Sequence, residues 1–535
     1  MTDTDGAKIF ILETSFTWTA VFWAFVIGLT VFRLWFLYIY PYDLSPDEAY
    51  YWDWSRHLSW GYYSKPPMVA WVMALFCSIF GNTAFAVRLP AVLFSSLTLC
   101  FLFFLGTRMF DARTGFYSAI VFFGTIGSAV ASMIMTIDAP LLCFWSSALF
   151  LVWRAWEVCK EGNESSRKCF LWWAAAGAVT GFGLLSKQTM AGFTMAVMIF
   201  LVGSRQGRRM LLSPGPWIFI ISQALLMLPV IIWNQCHGWV TLEHTAHHFE
   251  SATGKAILNF KTFFELLGTQ SGIVTPVTFV LALVVSACFS WRLVKNNLLN
   301  PHTEKHAGNM EFYLLASGFL PIIAVFLLSF RQRINANWPA PFYLSLGILI
   351  SAWALGKTRC GSRLDGLQRF FQPGLYLGIF LVCLLYLLPA FMGLFDLYGT
   401  KLDPTKRLRG WSQLGMAAGR VLEGFPRPDK TFVISRRRQT VSELAFYMPG
   451  QPNVYRWSRP DRPVSTQYEL WPGPTDKKGW DALIIFEKHR FLVSEMDGCF
   501  SRLEFIKQMD IPLGNGAKRS YMVYRGIEMK NWPER

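Results

Sequence analysis

The residues best suited to chemistry lie in the stretch "DLSPDEAYYWDWSRHLSWGYYSKPPMVAW", residues 43–71. It places Asp47, Glu48 and Lys65 among Trp and Tyr rings, directly after an apolar segment long enough to cross a membrane. A positioned carboxylate can accept a proton from a hydroxyl nucleophile, and a fixed lysine can bind a phosphate. We therefore predict Asp47 as a catalytic base and Lys65 as a phosphate-binding residue.

The "SPDE" sequence inside this stretch also fits the beginning of a helix. Ser45 is a plausible N-cap, Pro46 then occupies the first helical position, and Glu48 follows three residues after the cap. Capping and catalysis are compatible, because Glu48 can cap the helix while Asp47 points into a cavity.

A second isolated acid lies further along the chain. Asp138, in "MIMTIDAPLLCFW", is the only charged residue between Arg113 and Arg154. Its position fits a helix N-cap, with Thr136 as an alternative cap. It also fits a second functional carboxylate in the same cavity as Asp47, because charged groups at a membrane boundary usually pair, contact water or take part in function.

Three further cations are predicted on the same face as the two acids. Lys187 lies in "GLLSKQTM", and Arg331 and Arg333 lie in "RQRINANWP". Each could extend toward lipid headgroups. Because cations grouped near two acids suit a bound anion, we predict that they contact a phosphate.

The loop "CHGWVTLEHTAHHFE" contains four of the eight histidines. The spacing of His244 and His248 would place both rings on one face of a helix, which leaves a divalent metal site open, with Glu48 as a further ligand. Interfacial histidines beside Trp239 are the alternative. His247 is a candidate for contact with a sugar or an acceptor.

Aromatic rings of the first stretch supply further candidates for contact with a sugar. Tyr62 and Tyr63, together with Glu48, are predicted to contact a sugar or an acceptor. Aromatic rings also gather at membrane interfaces without binding a ligand.

The composition indicates that membrane helices position these residues. Of the 535 residues, 53% are hydrophobic and only 16% are charged, which excludes a disordered chain and indicates a membrane protein. The apolar segments predict a polytopic α-helical fold with about 11–13 transmembrane helices, the first of them an uncleaved anchor.

The net charge of +16 fits cytoplasmic loops and anionic lipids, so no nucleic acid partner is expected. The cysteine spacing supports no disulfide framework.

Loop charge predicts the orientation. One alternating set of loops carries sixteen Lys and Arg residues, and the other set carries eight. The sixteen should be cytoplasmic, which places the predicted site residues on the outer face. We expect a transmembrane domain at 1–395, with outer loops 41–83 and 234–269, and a small outward-facing α/β domain at 396–535. Its runs "KTFVIS", "DALIIFE" and "SYMVYRG" predict strands, and "VSELAFYM" predicts a helix.

The ordered motifs resemble those of polyprenyl-phosphate-dependent glycosyltransferases with the GT-C fold, in the bacterial group that is like dolichyl-mannosyltransferases and aminoarabinose transferases. The resemblance covers roughly residues 20–350 and rests on Asp47-Glu48, Lys65-Pro66-Pro67, Asp138, "GLLSKQTM" and "NWPAPFY". The phrases "VSELAFYMPGQP" and "QYELWPGP" resemble the tails of one bacterial subset, without an assigned role.

The resemblance implies transfer of a sugar from a polyprenyl-phosphate donor to a lipid A, lipopolysaccharide core or related acceptor. It also implies the periplasmic face of a bacterial inner membrane, with inversion at the anomeric carbon. The sequence departs from the aminoarabinose transferases at Tyr50, where they have Arg, and at Ser64, where they have a Glu implicated in metal binding. A lipid or solute transporter and a protein O-glycosyltransferase remain as alternatives.

Overall fold

The computed structural model describes residues 3–160, 166–250, 258–299, 307–487, 493–496 and 498–533. The chain divides into two compact units. The first comprises Met1–Tyr38 and Leu89–Tyr386, and the second comprises Ile39–Arg88 and Leu387–Arg535.

Most of the described chain is helical. The α-helices are α1 Asp3–Ile39, α2 Pro46–Ser55, α3 Met68–Phe80, α4 Ala84–Met109, α5 Ala112–Phe123, α6 Ile126–Met133, α7 Asp138–Lys160, α8 Arg167–Ser186, α9 Ala191–Gly203, α10 Arg205–Met210, α11 Pro214–Cys236, α12 Val240–Glu250, α13 Phe260–Val274, α14 Pro276–Leu299, α15 Ala307–Ser317, α16 Phe319–Ser329, α17 Phe342–Ala354, α18 Ser362–Asp365, α19 Phe371–Leu394, α20 Trp411–Glu423 and α21 Arg438–Tyr447.

The polytopic helical fold predicted from the sequence is confirmed. Among the described residues, 8 helices are long and apolar enough to cross a membrane. The count is 9 if α5 and α6, which meet at a bend of 74°, form one broken span. Two further predicted spans correspond to the shorter apolar helices Gln188–Gly203 and Phe342–Ala354, and Met68–Phe80 is a third short helix.

Small residues allow the membrane helices of the first unit to pack closely. Helix α8 packs against α7 and α11. A Cβ added at Gly177 would lie 2.4 Å from the carbonyl oxygen of Phe219, so a larger residue there would push α8 and α11 apart. On α11, the side chains of Leu225, Leu228 and Ile231 remain exposed, as expected for a surface that faces lipid.

A disulfide joins the end of α7 to the beginning of α8. Cys159 and Cys169 are 5.5 Å apart at their Cα atoms. The sequence did not predict this bond, because the two cysteines are ten positions apart in the chain and neither belongs to a recognisable motif.

The second unit contains the predicted α/β fold. Its strands are β1 Thr431–Ser435, β2 Val454–Arg456, β3 Asp481–Glu487, β4 Phe500–Gly514 and β5 Ala517–Met529. They form one sheet of order β2-β1-β3-β5-β4, in which β1 pairs in parallel with β2 and β3 while β5 pairs antiparallel with β3 and β4. The three predicted runs correspond to β1, β3 and β5, and "VSELAFYM" falls largely in α21.

The second unit also includes residues from the first predicted outer loop. Helix α2 packs against α21 and α3, and α21 packs against α20. Seven of the ten residues of α2 are buried, which is unusual for a helix that contains three acidic residues. Its burial is explained by specific partners in the C-terminal part of the chain, described below.

Candidate functional site

The predicted helix cap at "SPDE" is present and fixes the position of Asp47. The Ser45 hydroxyl accepts a hydrogen bond from the Glu48 N–H at 3.3 Å, and Glu48 Oε2 accepts one from the Ser45 N–H at 2.8 Å. With Pro46 at its first position, α2 therefore begins at a defined residue. Asp47 lies in the first turn, next to the reciprocal cap.

Glu48 is fully buried and its carboxylate is already bonded. Arg88 donates from Nε to Oε1 at 2.9 Å and from Nη2 to Oε2 at 3.0 Å. The same guanidinium donates to the carbonyl oxygens of Tyr42 and Asp43. In this structure Glu48 therefore holds the loop in place and does not contact the surface that a sugar, an acceptor or a metal would approach. Nothing in the sequence around Glu48 indicates this partner, because Arg88 lies 40 residues further along the chain.

Asp47 reaches the surface and pairs with a residue of the C-terminal region. Its Oδ1 lies 2.8 Å from Nη2 of Arg438, and 55% of its side chain remains exposed. The Arg438 guanidinium lies 4.6 Å from the ring centre of Tyr50. Burial lowers the pKa of Arg438 and the Asp47 carboxylate raises it, with a net upward shift. A guanidinium thus reaches Asp47 even though the resembled enzymes carry their arginine at the position of Tyr50.

The two C-terminal segments that the sequence left without a role, "VSELAFYMPGQP" and "QYELWPGP", contact the first loop. In "VSELAFYMPGQP", the Tyr447 hydroxyl accepts a hydrogen bond from the Leu44 N–H at 2.7 Å. In "QYELWPGP", the Gln467 N–H donates to the Tyr50 hydroxyl at 2.6 Å, and the Tyr468 hydroxyl donates to Asp53 Oδ2 at 2.7 Å. Both phrases therefore position the segment that carries Asp47.

Glu443 of α21 is a further acid, which was not predicted as a site residue. It is fully buried, and neither carboxyl oxygen has a hydrogen-bond partner among the described residues. Burial raises its pKa well above the ordinary value, and repulsion from Asp43 and Glu48 raises it further. The folded structure therefore favours the neutral, protonated form of Glu443.

The aromatic candidates differ in their accessibility. Tyr62 is buried, its ring stacks on Trp54 at 4.4 Å, and its hydroxyl lies within hydrogen-bond distance of the His57 carbonyl oxygen. Tyr63 is partly buried, and its hydroxyl donates to the Val464 carbonyl oxygen at 3.1 Å. Tyr62 packs the loop in this structure. Lys65 follows in the same loop and is partly buried.

Asp138 and Lys187 meet in the first unit. Lys187 Nζ lies 2.8 Å from Asp138 Oδ1, and Asn337 donates from Nδ2 to Asp138 Oδ2 at 2.6 Å. The side chains of Lys187 and Asp138 are only 6% and 14% exposed. Three separate segments of sequence therefore converge on one carboxylate. The Asp138 N–H also donates to the Thr136 hydroxyl at 3.3 Å, at the beginning of α7.

The remaining candidates of the first unit lie elsewhere in it. Arg331 and Arg333 are exposed, and Arg333 lies 3.5 Å from Glu265. His244 is in α12, whereas the side chains of His247 and His248 lie outside what the structure describes. Within the described residues, no three His, Cys, Asp or Glu side chains are placed to hold a metal ion.

The first membrane helix carries a buried cation that was not predicted from the sequence. Arg33 of α1 is 2% exposed and donates to the Tyr386 hydroxyl at 2.9 Å and to the Ser95 hydroxyl at 3.0 Å. Its Nη2 has no hydrogen-bond partner among the described residues. A charged residue inside an apolar run is the signal that could have identified it.

Comparisons with known proteins find a family match and several relatives. Residues 64–233 match the profile of the dolichyl-phosphate-mannose-protein mannosyltransferase family. The lipid A galacturonosyltransferase RgtD of Rhizobium johnstonii is 24% identical over 338 residues, covering 62% of this chain and 64% of the relative. The undecaprenyl phosphate-alpha-4-amino-4-deoxy-L-arabinose arabinosyl transferase of Pseudomonas aeruginosa is 26% identical over 319 residues, covering 58% of this chain and 53% of the relative. The chain thus spans less than two thirds of the length of these relatives.

The fold is similar over nearly the whole chain to a solved structure. The crystal structure of ArnT from Cupriavidus metallidurans bound to undecaprenyl phosphate aligns with a TM-score of 0.58 and 16% identity, covering 95% of this chain and 98% of that chain. The chain has the GT-C fold. The resemblance predicted from the sequence motifs is therefore confirmed.

The matched region of the family profile contains some of the candidate residues and not others. Lys65, Asp138 and Lys187 lie within residues 64–233, whereas the "RQRINANWP" loop lies beyond them. The match begins after Asp47, so the strongest candidate for a base rests on the first-loop motif and on its position in the structure.

Proposed function

We propose that this protein is a membrane glycosyltransferase that moves a sugar from a polyprenyl-phosphate donor to a cell-envelope acceptor. The acceptor is lipid A, the lipopolysaccharide core or a related glycan. The reaction takes place at the periplasmic face of the bacterial inner membrane, where the C-terminal domain also lies.

The observation that carries this proposal is the agreement between two relatives that differ in their sugar. One is named for galacturonosyl transfer to lipid A, and the other for transfer of aminoarabinose from undecaprenyl phosphate. Both match this chain over more than half of its length. Because this chain is similar to relatives that transfer different sugars, the similarity supports a common class of reaction. The sugar that this chain transfers has to be measured.

Asp47 has the properties that a base for an acceptor hydroxyl requires. The carboxylate is exposed enough to meet a substrate, and the capped helix and Arg438 fix its position. In the proposed reaction the acceptor oxygen attacks the anomeric carbon and the bond from that carbon to the phosphate oxygen breaks. The acceptor proton passes to Asp47, and the polyprenyl phosphate leaves. Direct attack of this kind inverts the anomeric carbon.

The cations have a separate role in this proposal. Cleavage of the sugar–phosphate bond increases negative charge on the leaving phosphate, which fixed cations stabilise. We assign this role to Lys65, with Arg331 and Arg333 as further candidates. The Lys187 ammonium is held by Asp138, so these two residues act as one unit and supply the second functional carboxylate.

Reconstitution of the purified protein in liposomes tests the proposal. Radiolabelled undecaprenyl-phosphate sugars, including galacturonic acid, aminoarabinose and mannose, would be supplied with lipid A, lipopolysaccharide core or an acceptor protein. We expect transfer from at least one donor to a lipid or glycan, and its loss in Asp47→Asn. Transfer to protein alone would favour a protein O-glycosyltransferase. No transfer from any donor, together with movement of labelled lipid across the bilayer, would favour a transporter.

A further inference from the structure

A cavity of about 860 Å³ lies within the second unit, on the side where Asp47 is exposed. Its size suits a ligand larger than a single ion. Five basic side chains line it, against two carboxylates. The basic residues are Arg407, Arg437, Arg438, Lys518 and Arg519, and the acids are Asp47 and Glu487. This balance favours an anionic ligand.

The first turn of α21 also contributes to this cavity. Arg438, Gln439 and Thr440 are the first three residues of this ten-residue helix, and all three line the cavity. Within the described part of the chain, the helix begins without a side-chain cap. Its first N–H groups and the positive end of its dipole therefore favour an oxyanion at this position.

The cations of the cavity are only partly neutralised. Arg437 lies 3.7 Å from Glu487, whose Oε1 also accepts a hydrogen bond from Thr440 at 2.6 Å. Arg519 lies over the ring of Trp411 at 4.0 Å, and its Nη1 has no hydrogen-bond partner among the described residues. Lys518 pairs with Asp510 at 2.6 Å, whereas the side chain of Arg407 is exposed. Three of the five cations therefore pair with carboxylates, and Arg407 and Arg519 supply the positive charge that remains for an anionic ligand.

We propose that this cavity binds a phosphate group of the acceptor saccharide and thereby presents a neighbouring hydroxyl to Asp47. This inference rests on the proposed glycosyl transfer and adds a determinant of acceptor specificity. The bound phosphate is an anchor and takes no part in bond formation. Arg438 lines the cavity and pairs with Asp47, so it connects the anchored group to the base. A phosphorylated acceptor should therefore be used at lower concentration than its dephosphorylated form.

A binding experiment tests the cavity without any donor. Isothermal titration of the purified full-length protein would compare N-acetylglucosamine 1-phosphate with N-acetylglucosamine and with inorganic phosphate. The Arg407→Gln/Lys518→Gln double variant removes two cavity cations whose side chains are accessible, so the fold should be kept. Arg459→Gln/Arg502→Gln is the matched control, because both are accessible cations of the same unit outside the cavity.

We expect the sugar phosphate to bind more tightly than either fragment, and binding to weaken about tenfold or more in the cavity variant only. Asp47→Asn should bind the sugar phosphate at least as well as the wild type, because it removes a negative charge beside the anion. Equal binding by the cavity variant and the control variant would overturn the inference. So would equal binding of the neutral sugar, or binding of inorganic phosphate as tight as that of the sugar phosphate.

A competition experiment distinguishes a binding site for the acceptor from a binding site for a membrane lipid. Nanodiscs of phosphatidylglycerol should not displace the sugar phosphate, and displacement by them would overturn the inference in favour of a lipid headgroup site. The two proposals also fail separately. Cavity-dependent binding without sugar transfer would overturn the glycosyltransferase proposal alone. Transfer with an unchanged KM for a phosphorylated acceptor in the cavity variant would overturn the cavity inference alone.

Discussion

At the scale of single residues, Asp47 allows catalysis to be separated from structure. Asp47→Asn cannot accept the acceptor proton, so we expect the initial rate of transfer to fall by ~10²–10⁴-fold. The exposed pair with Arg438 should contribute only about 0–1 kcal/mol, so the melting temperature in detergent should stay close to that of the wild type.

Asp461→Asn is the matched control for Asp47→Asn. Asp461 is an accessible acid of the same unit, and it pairs with Arg459 at 2.8 Å. It should transfer sugar at the native rate. A folded Asp47→Asn protein that does the same would leave Asp47 with only a structural role.

Lys65 should act through its charge. Lys65→Ala should raise the KM for the polyprenyl-phosphate donor, and Lys65→Arg should retain part of the affinity because it keeps the charge in a different shape. Donor titrations of both variants check this, with the exposed Lys507→Ala as a control for lost charge. Native donor KM in both Lys65 variants would show that the lysine only reaches toward headgroups.

The Asp138–Lys187 pair should behave as a coupled unit. Asp138→Asn leaves the nearly buried Lys187 without its partner, so unfolding should become easier by about 3–5 kcal/mol. Lys187→Met should show a similar loss, and Asp138→Asn/Lys187→Met should recover most of it. Denaturant titrations of the four proteins in one detergent give the coupling energy. Additive effects would contradict a coupled pair, and a stable but inactive double variant would support a functional carboxylate.

At the scale of elements, the packing of α2 against α21 accompanies the full burial of Glu443, which raises the pKa of its carboxyl. Its raised pKa means that the folded state holds a proton that the unfolded state releases as the pH rises above about 4.5. This contribution to stability is complete at acid pH and is lost progressively as the pH rises toward the pKa of the folded state. Glu443→Gln cannot titrate, so it should raise the melting temperature at pH 8 and change it little at pH 4.5. The comparison is thermal unfolding at the two pH values, and a shift of equal size at both would argue against a protonated Glu443.

At the scale of the whole molecule, the proposed orientation places the C-terminal domain outside the cytoplasm. An alkaline phosphatase fused after the last residue should then be active, and a cytoplasmic reporter at the same point inactive.

In the same orientation, the connection between α7 and α8 would be cytoplasmic, where disulfides are rare. The disulfide that the structure forms between Cys159 and Cys169 should therefore be reduced in the cell, and both thiols should react with maleimide in lysed cells. An oxidised pair with an inactive phosphatase fusion would reverse the orientation.

The sequence by itself determined the features that depend on local composition. Long apolar runs predict membrane helices, because every backbone group in lipid must be bonded within its own segment. The "SPDE" cap and the runs that form β1, β3 and β5 depend on neighbouring residues, and the structure contains each of them. The strands β2 and β4 were not predicted, because β2 has only three residues and the alternation of β4 is interrupted by register shifts between Phe505 and Lys507 and between Pro512 and Gly514.

Only the tertiary structure decided which charges meet. Glu48 and Arg88 are 40 residues apart, and Asp138 and Asn337 are 199 residues apart. Arg438 reaches Asp47 from a different part of the chain, and the sequence analysis treated its surroundings as a tail without a role. The local sequence cannot specify such pairs, because folding brings the partners together through the packing of whole helices. The same packing removed Glu48 from the accessible surface and left Asp47 on it, although the two acids are adjacent in the sequence.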